Sequence, residues 1–404
     1  MDQRPKLHKN VILMGLTSFF TDVSSEMVYP LLQAFMSMVL ASQKALLGPV
    51  LGIIEGIAES TASLGKVFFG YYSDRIQRRK MPTITGYSIS ALSKCLFFLA
   101  SLGWYFVLLA RFLDRVGKGV RTAPRDALIS ESVPKDIQGK AFGVQRAMDF
   151  AGATLGALLC YLISLHFLDP VTKTLKNLGS FYVLFIISII PAIIGVVFLF
   201  FTQETGEKLS GKKARPKPNL DFRKYDRNLQ RFFFTQFLFT LGNSSNQFLL
   251  LRSQDLGHTL STVILMYLVF NLTSSLLSTF FGSLSDKIGR KRILVTGYLL
   301  YALVYMSFGF LNESSKSLLW GFWIIYGVYY AMTEGVEKAF VSSLAPTESK
   351  ATALGFYHTI VGISLLPASL IAGLLFSWLP SAPFVFGGLM SLLATTVLGL
   401  SVRE

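Results

Sequence analysis

Charge is scarce in this chain. Of its 404 residues, 15% are Asp, Glu, Lys or Arg, against about 25% in a typical soluble protein. A water-soluble fold of that length would have too little polar surface to cover its core. Intrinsic disorder is excluded too, because it needs many charges and few apolar residues. Cysteine is nearly absent, and Cys95 and Cys160 both sit inside apolar runs, which points away from a disulfide framework. No His/Cys cluster offers a catalytic metal site. Gly117-Lys118 lacks the Gly-x4-Gly-Lys-Ser/Thr spacing of a phosphate loop, which disfavours a nucleotide-driven pump. No cofactor is implied, and nothing points to an enzyme.

Apolar residues are what the chain has in excess. Residues AVILMFWYC make up 52%, with 33 Gly besides. A helix crosses a bilayer with about 20 mostly apolar residues. Such runs occur near 10–40, 46–72, 82–103, 105–130, 141–167, 179–202, 230–254, 258–284, 292–311, 317–344, 351–378 and 382–402. The expected fold is an all-α membrane protein with twelve transmembrane helices. Arg4, Lys6 and Lys9 lead directly into the first run with no small-residue cleavage site, so no cleavable leader is expected.

Basic residues set the orientation. With the N-terminus inside, 24 of the 38 Lys and Arg fall in cytoplasmic segments and 5 in outer ones, so both termini are expected in the cytoplasm. The same bias accounts for the net charge of +15 without nucleic acid: these residues face anionic lipid. The stretch 204–231, holding Lys208, Lys212, Lys213, Arg215 and Lys217, is the one long linker. The expected division is 1–203 for one six-helix bundle, 204–229 for the linker and 230–404 for the second bundle.

The halves repeat. Gly70, Ser73, Asp74, Arg75, Ile76 and Arg78 recur as Gly282, Ser285, Asp286, Lys287, Ile288 and Arg290, shifted by 212. The same shift carries Ser130 and Pro134 onto Ser342 and Pro346, and Ala141 and Gly143 onto Ala353 and Gly355. The first spans match at an offset of 220, Ser24-Ser25 against Ser244-Ser245. Parallel six-helix repeats are a transporter architecture, with the substrate site near mid-membrane between them.

Those repeated loops resemble the signature of the major facilitator superfamily, the first copy carrying Gln77 where the signature has Gly. Arg111 followed by Gly117 and Gly119 resembles the fourth-helix motif of that family. The stretches from Asp114 to Arg121 and from Glu334 to Ala339 are similar to a bacterial subgroup whose substrates are mostly unassigned. The resemblance covers the whole chain. It implies a monomeric secondary transporter of the bacterial inner membrane, with a small-molecule substrate and protons as partners. Asp74, Arg75 and Arg78, with Asp286 and Arg290, then read as a latch between the halves.

Ionisable side chains at bilayer depth cost about 2.5–3.5 kcal/mol each on insertion scales, so they should face the interior. Asp22 and Glu26 are four apart on the first helix, as are Glu55 and Glu59 on the second. Arg111, Asp114, Arg115 and Lys118 follow on the fourth, and Arg146 and Asp149 on the fifth. The first-half spans hold eight basic and seven acidic groups, a near balance that points to a paired network. The second half is sparser, with Glu334, Glu337, Lys338 and His358. The 212 shift sets Arg125-Asp126 against Glu337-Lys338 and Arg146 against His358. Arg125, Glu337 and Lys338 read as gating groups near the cytoplasmic end. Asp22, Glu26 and Arg111 are the leading candidates for substrate binding or proton coupling. Tyr29, Asn246, Tyr326 and Tyr330 can add neutral hydrogen bonds.

The fifth helix reads Gly143-x8-Gly152-x3-Gly156-Ala157. This is similar in spacing to the antiporter motif of facilitator-family exporters, although Ala157 replaces its Pro. Small residues so spaced also pack helices closely in any membrane protein. The expectation is proton-coupled export of a small organic solute by antiport. The alternative is proton-coupled import of an anionic, zwitterionic or siderophore-type solute by symport.

Overall fold

A computed structural model of the chain describes residues 8–76, 78–134, 138–167, 169, 177–205, 223, 225–345 and 350–403. Among these residues there is no β-strand. The first span is split into α1 (Lys9–Glu26) and α2 (Leu32–Val39) by a 3-10 turn, Tyr29–Leu31. Pro30 sits at the start of that turn, where it removes one helical N–H donor. α3 (Leu47–Ile76), α4 (Lys80–Ser93), α5 (Trp104–Glu131), α6 (Gln138–Phe167) and α7 (Leu178–Phe200) complete the first six. α4 continues as a 3-10 stretch to Leu102.

The second half opens with another split span, α8 (Arg227–Gly242) and α9 (Asn246–Asp255). The Ser245 hydroxyl caps α9 by accepting from the Gln247 N–H. α10 (Leu260–Ile288), α11 (Arg290–Phe310), α12 (Leu319–Leu344), α13 (Lys350–Trp378) and α14 (Ala382–Ser401) follow. Twelve spans are present, in two pseudo-symmetric bundles of six. The runs expected at 10–40 and 230–254 are thus each broken once, the first break lying more than a turn further along its span than the second under the 220 offset. Discontinuous helices of this kind free backbone groups near mid-membrane.

Among the described residues, nine spans are long and apolar enough to cross a membrane by hydropathy. The three that fall short are α5, the α8–α9 pair and α12. They fall short because α5 carries charge, α8–α9 is interrupted, and α12 is rich in Tyr and Gly. All three line the central cavity. The outer faces are apolar instead: Ile186, Ile190 and Ile193 of α7 are each more than half exposed, as lipid-facing side chains should be.

The halves meet through α3 against α13 and α6 against α10, two pairs that exchange under the repeat. The α3–α13 seam is made by glycine. A Cβ on Gly373 would lie 2.4 Å from the Gly48 carbonyl, and one on Gly52 2.3 Å from that of Ser369. Both are far inside van der Waals contact, so the backbones touch at the face opposite the termini. Gly289, at φ +101°, makes the tight link between α10 and α11, a conformation that disfavours a Cβ.

Candidate functional site

Between the bundles lie two adjoining chambers, of about 390 Å³ and about 580 Å³. Their shared walls include Asp22, Glu26, Lys66, Lys118, Arg121, Tyr267, Tyr330, Glu334, Lys338 and His358. The larger chamber continues past Arg125, Asp126, Phe142 and Gln145 toward the face that carries the termini. The smaller one ends under Tyr29, Ser245 and Asn246, at the broken helices.

The first-half wall is a ladder of ion pairs. α3 and α5 run in the same direction, so the four-residue spacings of Glu55/Glu59 and Arg111/Arg115 fall in register. Arg111 Nη2 lies 2.8 Å from Glu55 Oε1, and Arg115 Nη2 lies 2.8 Å from Glu59 Oε1. Asp114 sits between the two guanidinium groups at 3.9 and 4.0 Å. Glu55 is fully buried and stands behind the wall rather than on it. Arg125 pairs with its neighbour Asp126 at 2.9 Å. Arg146 bridges Asp149 at 3.6 Å and Glu334, from the other bundle, at 3.5 Å. Arg121 donates to the Ser90 hydroxyl and lies over the Tyr87 ring.

The second-half wall is aromatic. Tyr301 and Tyr305 stack at 4.0 Å, as do Phe239 and Tyr298. Phe270 meets Tyr330 edge-on at 5.3 Å. Tyr326 lies behind this surface, donating to Asn246 Oδ1 at 2.7 Å. Among the described residues, Glu337 has no cation within ion-pair distance; Tyr298 and Tyr357 donate to it at 2.9 and 2.6 Å, and Gln236 at 3.3 Å. It was expected at a gate, and the structure places it in the wall of the smaller chamber.

Carboxylates of the first half also accept bonds from the second. Tyr267 donates to Glu26 Oε2 at 2.9 Å, and Ser245 donates to Glu55 Oε2 at 2.9 Å. Gln247 donates to the Tyr29 carbonyl at 2.8 Å, which also accepts the Leu32 N–H. Among the described residues, Asp22 has no hydrogen bond or ion pair.

Of the expected latch, Arg75 and Arg78 are exposed, and Asp286 pairs with Arg290 within its own loop at 2.7 Å. Arg290 also donates to the Ala339 carbonyl. The Asp74 side chain lies outside the described residues. The N–H groups at the start of α4 are taken by Glu204: Arg79 and Lys80 donate to its two oxygens at 2.9 and 3.0 Å. Arg79 in turn pairs with Glu131 at 3.1 Å. Sequence reasoning passed over Glu131 and Tyr267, and saw in Glu204 only the start of the linker. For Tyr267 no local signal exists, because its partner Glu26 lies in the other repeat.

A model of the Major Facilitator Superfamily matches residues 14–250 and 232–404. The chain belongs to the major facilitator superfamily. An uncharacterized MFS-type transporter of Methanocaldococcus jannaschii is 36% identical over 400 residues, covering 97% of this chain and 95% of that protein. The multi-drug resistance efflux pump PmrA of Streptococcus pneumoniae is 25% identical, covering 83% and 82%. Among solved structures, a D-xylose-proton symporter superposes with a TM-score of 0.76 at 16% identity, covering 98% of each chain. The nucleoside transporter NupG gives 0.76 at 14% identity, covering 98% of this chain and 100% of that one. At such identities the structures establish the fold alone. As a facilitator-superfamily member the chain is a membrane transporter of small molecules and not an enzyme.

Proposed function

We propose that this transporter is proton-coupled and exports a small organic solute by antiport across the plasma membrane, both termini facing the cytoplasm. The bias of Lys and Arg toward the terminus-bearing face supports that orientation. The single observation that carries proton coupling is the Glu26–Tyr267 bond. A cavity carboxylate without a cation partner accepts a hydrogen bond from the opposite half at 2.9 Å. Protonating Glu26 neutralises that acceptor and weakens a charge-assisted bond, which ties proton occupancy to the arrangement of the halves. Asp22, one turn before it, supplies a second such carboxylate. The larger chamber runs to the terminus-bearing side, which suits loading from the cytoplasm. Similarity to an efflux pump supports export. The closest rival is inward symport of an anionic or zwitterionic solute; it is favoured by Lys66, Lys118 and Lys338, which share the cavity with Asp22 and Glu26.

Proteoliposomes with an imposed pH gradient and an internal pH dye test this. Adding solute should evoke proton movement opposite to the solute in the wild type. Glu26→Gln should lose that movement while staying folded and monodisperse, and Asp22→Asn should reduce it. Unchanged proton flux in both variants would retire coupling through these carboxylates. Proton and solute moving together would establish symport.

A further inference from the structure

The basic groups that line the cavity divide by residue type. Arg111, Arg115, Arg125 and Arg146 each hold a carboxylate. Arg121 is committed to Ser90 and to the face of Tyr87. Lys94, outside the cavity, donates to Ser24. The remaining three lysines, Lys66 of α3, Lys118 of α5 and Lys338 of α12, have neither a hydrogen bond nor a carboxylate at ion-pair distance among the described residues. All three line both chambers, so they meet where the chambers join, and all are half-buried. An unpartnered cation inside a membrane protein is costly and marks a functional site.

Three carboxylates share that junction, but two are engaged: Glu26 by Tyr267 and Glu334 by Arg146. Among the described residues, three lysines without an ion pair therefore face two carboxylates without one, Asp22 and Glu26. Across from them stand the rings of Tyr267 and Tyr330. A flexible ammonium is a compact point charge that coordinates carboxylate or phosphate oxygens without the fixed fork of Arg. Two of the lysines come from the first bundle and one from the second, so a single bound anion would bridge the halves.

We propose that Lys66, Lys118 and Lys338 form the binding site for the anionic group of the transported solute, a carboxylate or phosphate on an aromatic or otherwise apolar body seated against Tyr267 and Tyr330. This deepens the transport reading by naming its substrate class, and it rests on the cavity being the solute path in either direction.

The test is ligand-induced stabilisation of the purified full-length protein in detergent. Benzoate and phenyl phosphate are the anionic probes, benzamide the neutral one and benzylamine the cationic one. Binding to the folded state raises the apparent Tm with concentration. One or both anions should do so, and the arm that responds separates carboxylate from phosphate. Benzamide and benzylamine should not respond. Lys66→Gln, Lys118→Gln and Lys338→Gln should each weaken the apparent affinity about tenfold, equivalent to about 1.4 kcal/mol. Lys316→Gln, which changes net charge equally but lies at the far face, should leave it unchanged. Without ligand, the three cavity variants should be at least as stable as wild type, because each removes an unpaired charge. Lowered stability without ligand would make the lysines structural and overturn the proposal. So would equal stabilisation by benzamide, no response to either anion, or a wild-type response in the variants. Binding in detergent needs no gradient, so anion binding without flux retires only the transport reading. Proton flux evoked by a neutral or cationic solute, without anion binding, retires only this inference.

Discussion

At the heart of the first bundle Glu55 and Arg111 form a buried ion pair; at the matching place in the second stand Tyr267 and Trp323. The 212-residue shift also sets Tyr326 against Asp114 and Tyr330 against Lys118. Where the first half has a salt bridge of 2.8 Å, the second has an edge-to-face ring pair with centroids 6.4 Å apart. One helix arrangement is thus held by charge in one copy and by aromatic packing in the other. The ion pairs are therefore not required by the fold. A buried pair is weak evidence for stability, because desolvation cancels much of the attraction, so the charged copy is the one that the proposed coupling would use.

The largest effect should come from breaking one partner of that pair. Arg111→Ala leaves Glu55 fully buried with only the Ser245 hydroxyl, at a cost of about 3–5 kcal/mol. Equilibrium unfolding in mixed micelles measures it. The double change Glu55→Leu with Arg111→Met should recover most of the loss, since apolar side chains of similar volume often replace a buried pair without penalty. Transport should stay absent in both. If the double variant is as unstable as the single one, the ladder is a structural requirement and the contrast between the halves collapses.

A smaller effect is expected on the aromatic side. Glu337→Gln removes a charge that has no cation partner and keeps an oxygen for Tyr357, so stability should move by no more than about 1 kcal/mol. Glu337→Leu instead orphans the Gln236 side-chain N–H and the Tyr357 hydroxyl, each at about 1–3 kcal/mol, while Tyr298 still donates to Gln236 Oε1. The same unfolding assay should rank Leu well below Gln. Equal losses would mean that the carboxylate charge itself holds this wall.

The twelve spans, the repeat and the in-span charges were all legible, because each is written in local composition or in self-similarity. The ladder was half legible. Glu55/Glu59 and Arg111/Arg115 each show one helical face, but that these faces meet depends on α3 packing in register with α5. The breaks at Tyr29–Leu31 and Asn243–Ser245 were missed. Pro30 was in plain view, but the break before α9 is set by the Ser245 cap and by Gln247 reaching Tyr29 across the halves. Glu204 was read as the start of a linker. Its capping of α4 from 125 residues away leaves no trace in local pattern. Glu337 read as a gate because the repeat sets it against Arg125 near the cytoplasmic end, whereas its partners come from α8, α11 and α13.

The finest distinction between the halves rests on one hydroxyl. Tyr298 has a single proton and two acceptors at 2.9 Å, Gln236 Oε1 and Glu337 Oε1, so it can donate to only one at a time. When Glu337 is ionised, the proton points to the carboxylate. When Glu337 is protonated on Oε1, it can donate to the Tyr298 oxygen, which then donates to Gln236. The cage therefore serves both protonation states without moving its heavy atoms, unlike the Arg111–Glu55 pair, which has only one good arrangement. Tyr298→Phe keeps the stack on Phe239 and removes only this relay. It should cost about 0.5–1.5 kcal/mol, well below Arg111→Ala. A loss as large as that of Arg111→Ala would show Glu337 to be as dependent on one partner as Glu55 is, and would erase the difference between the two walls.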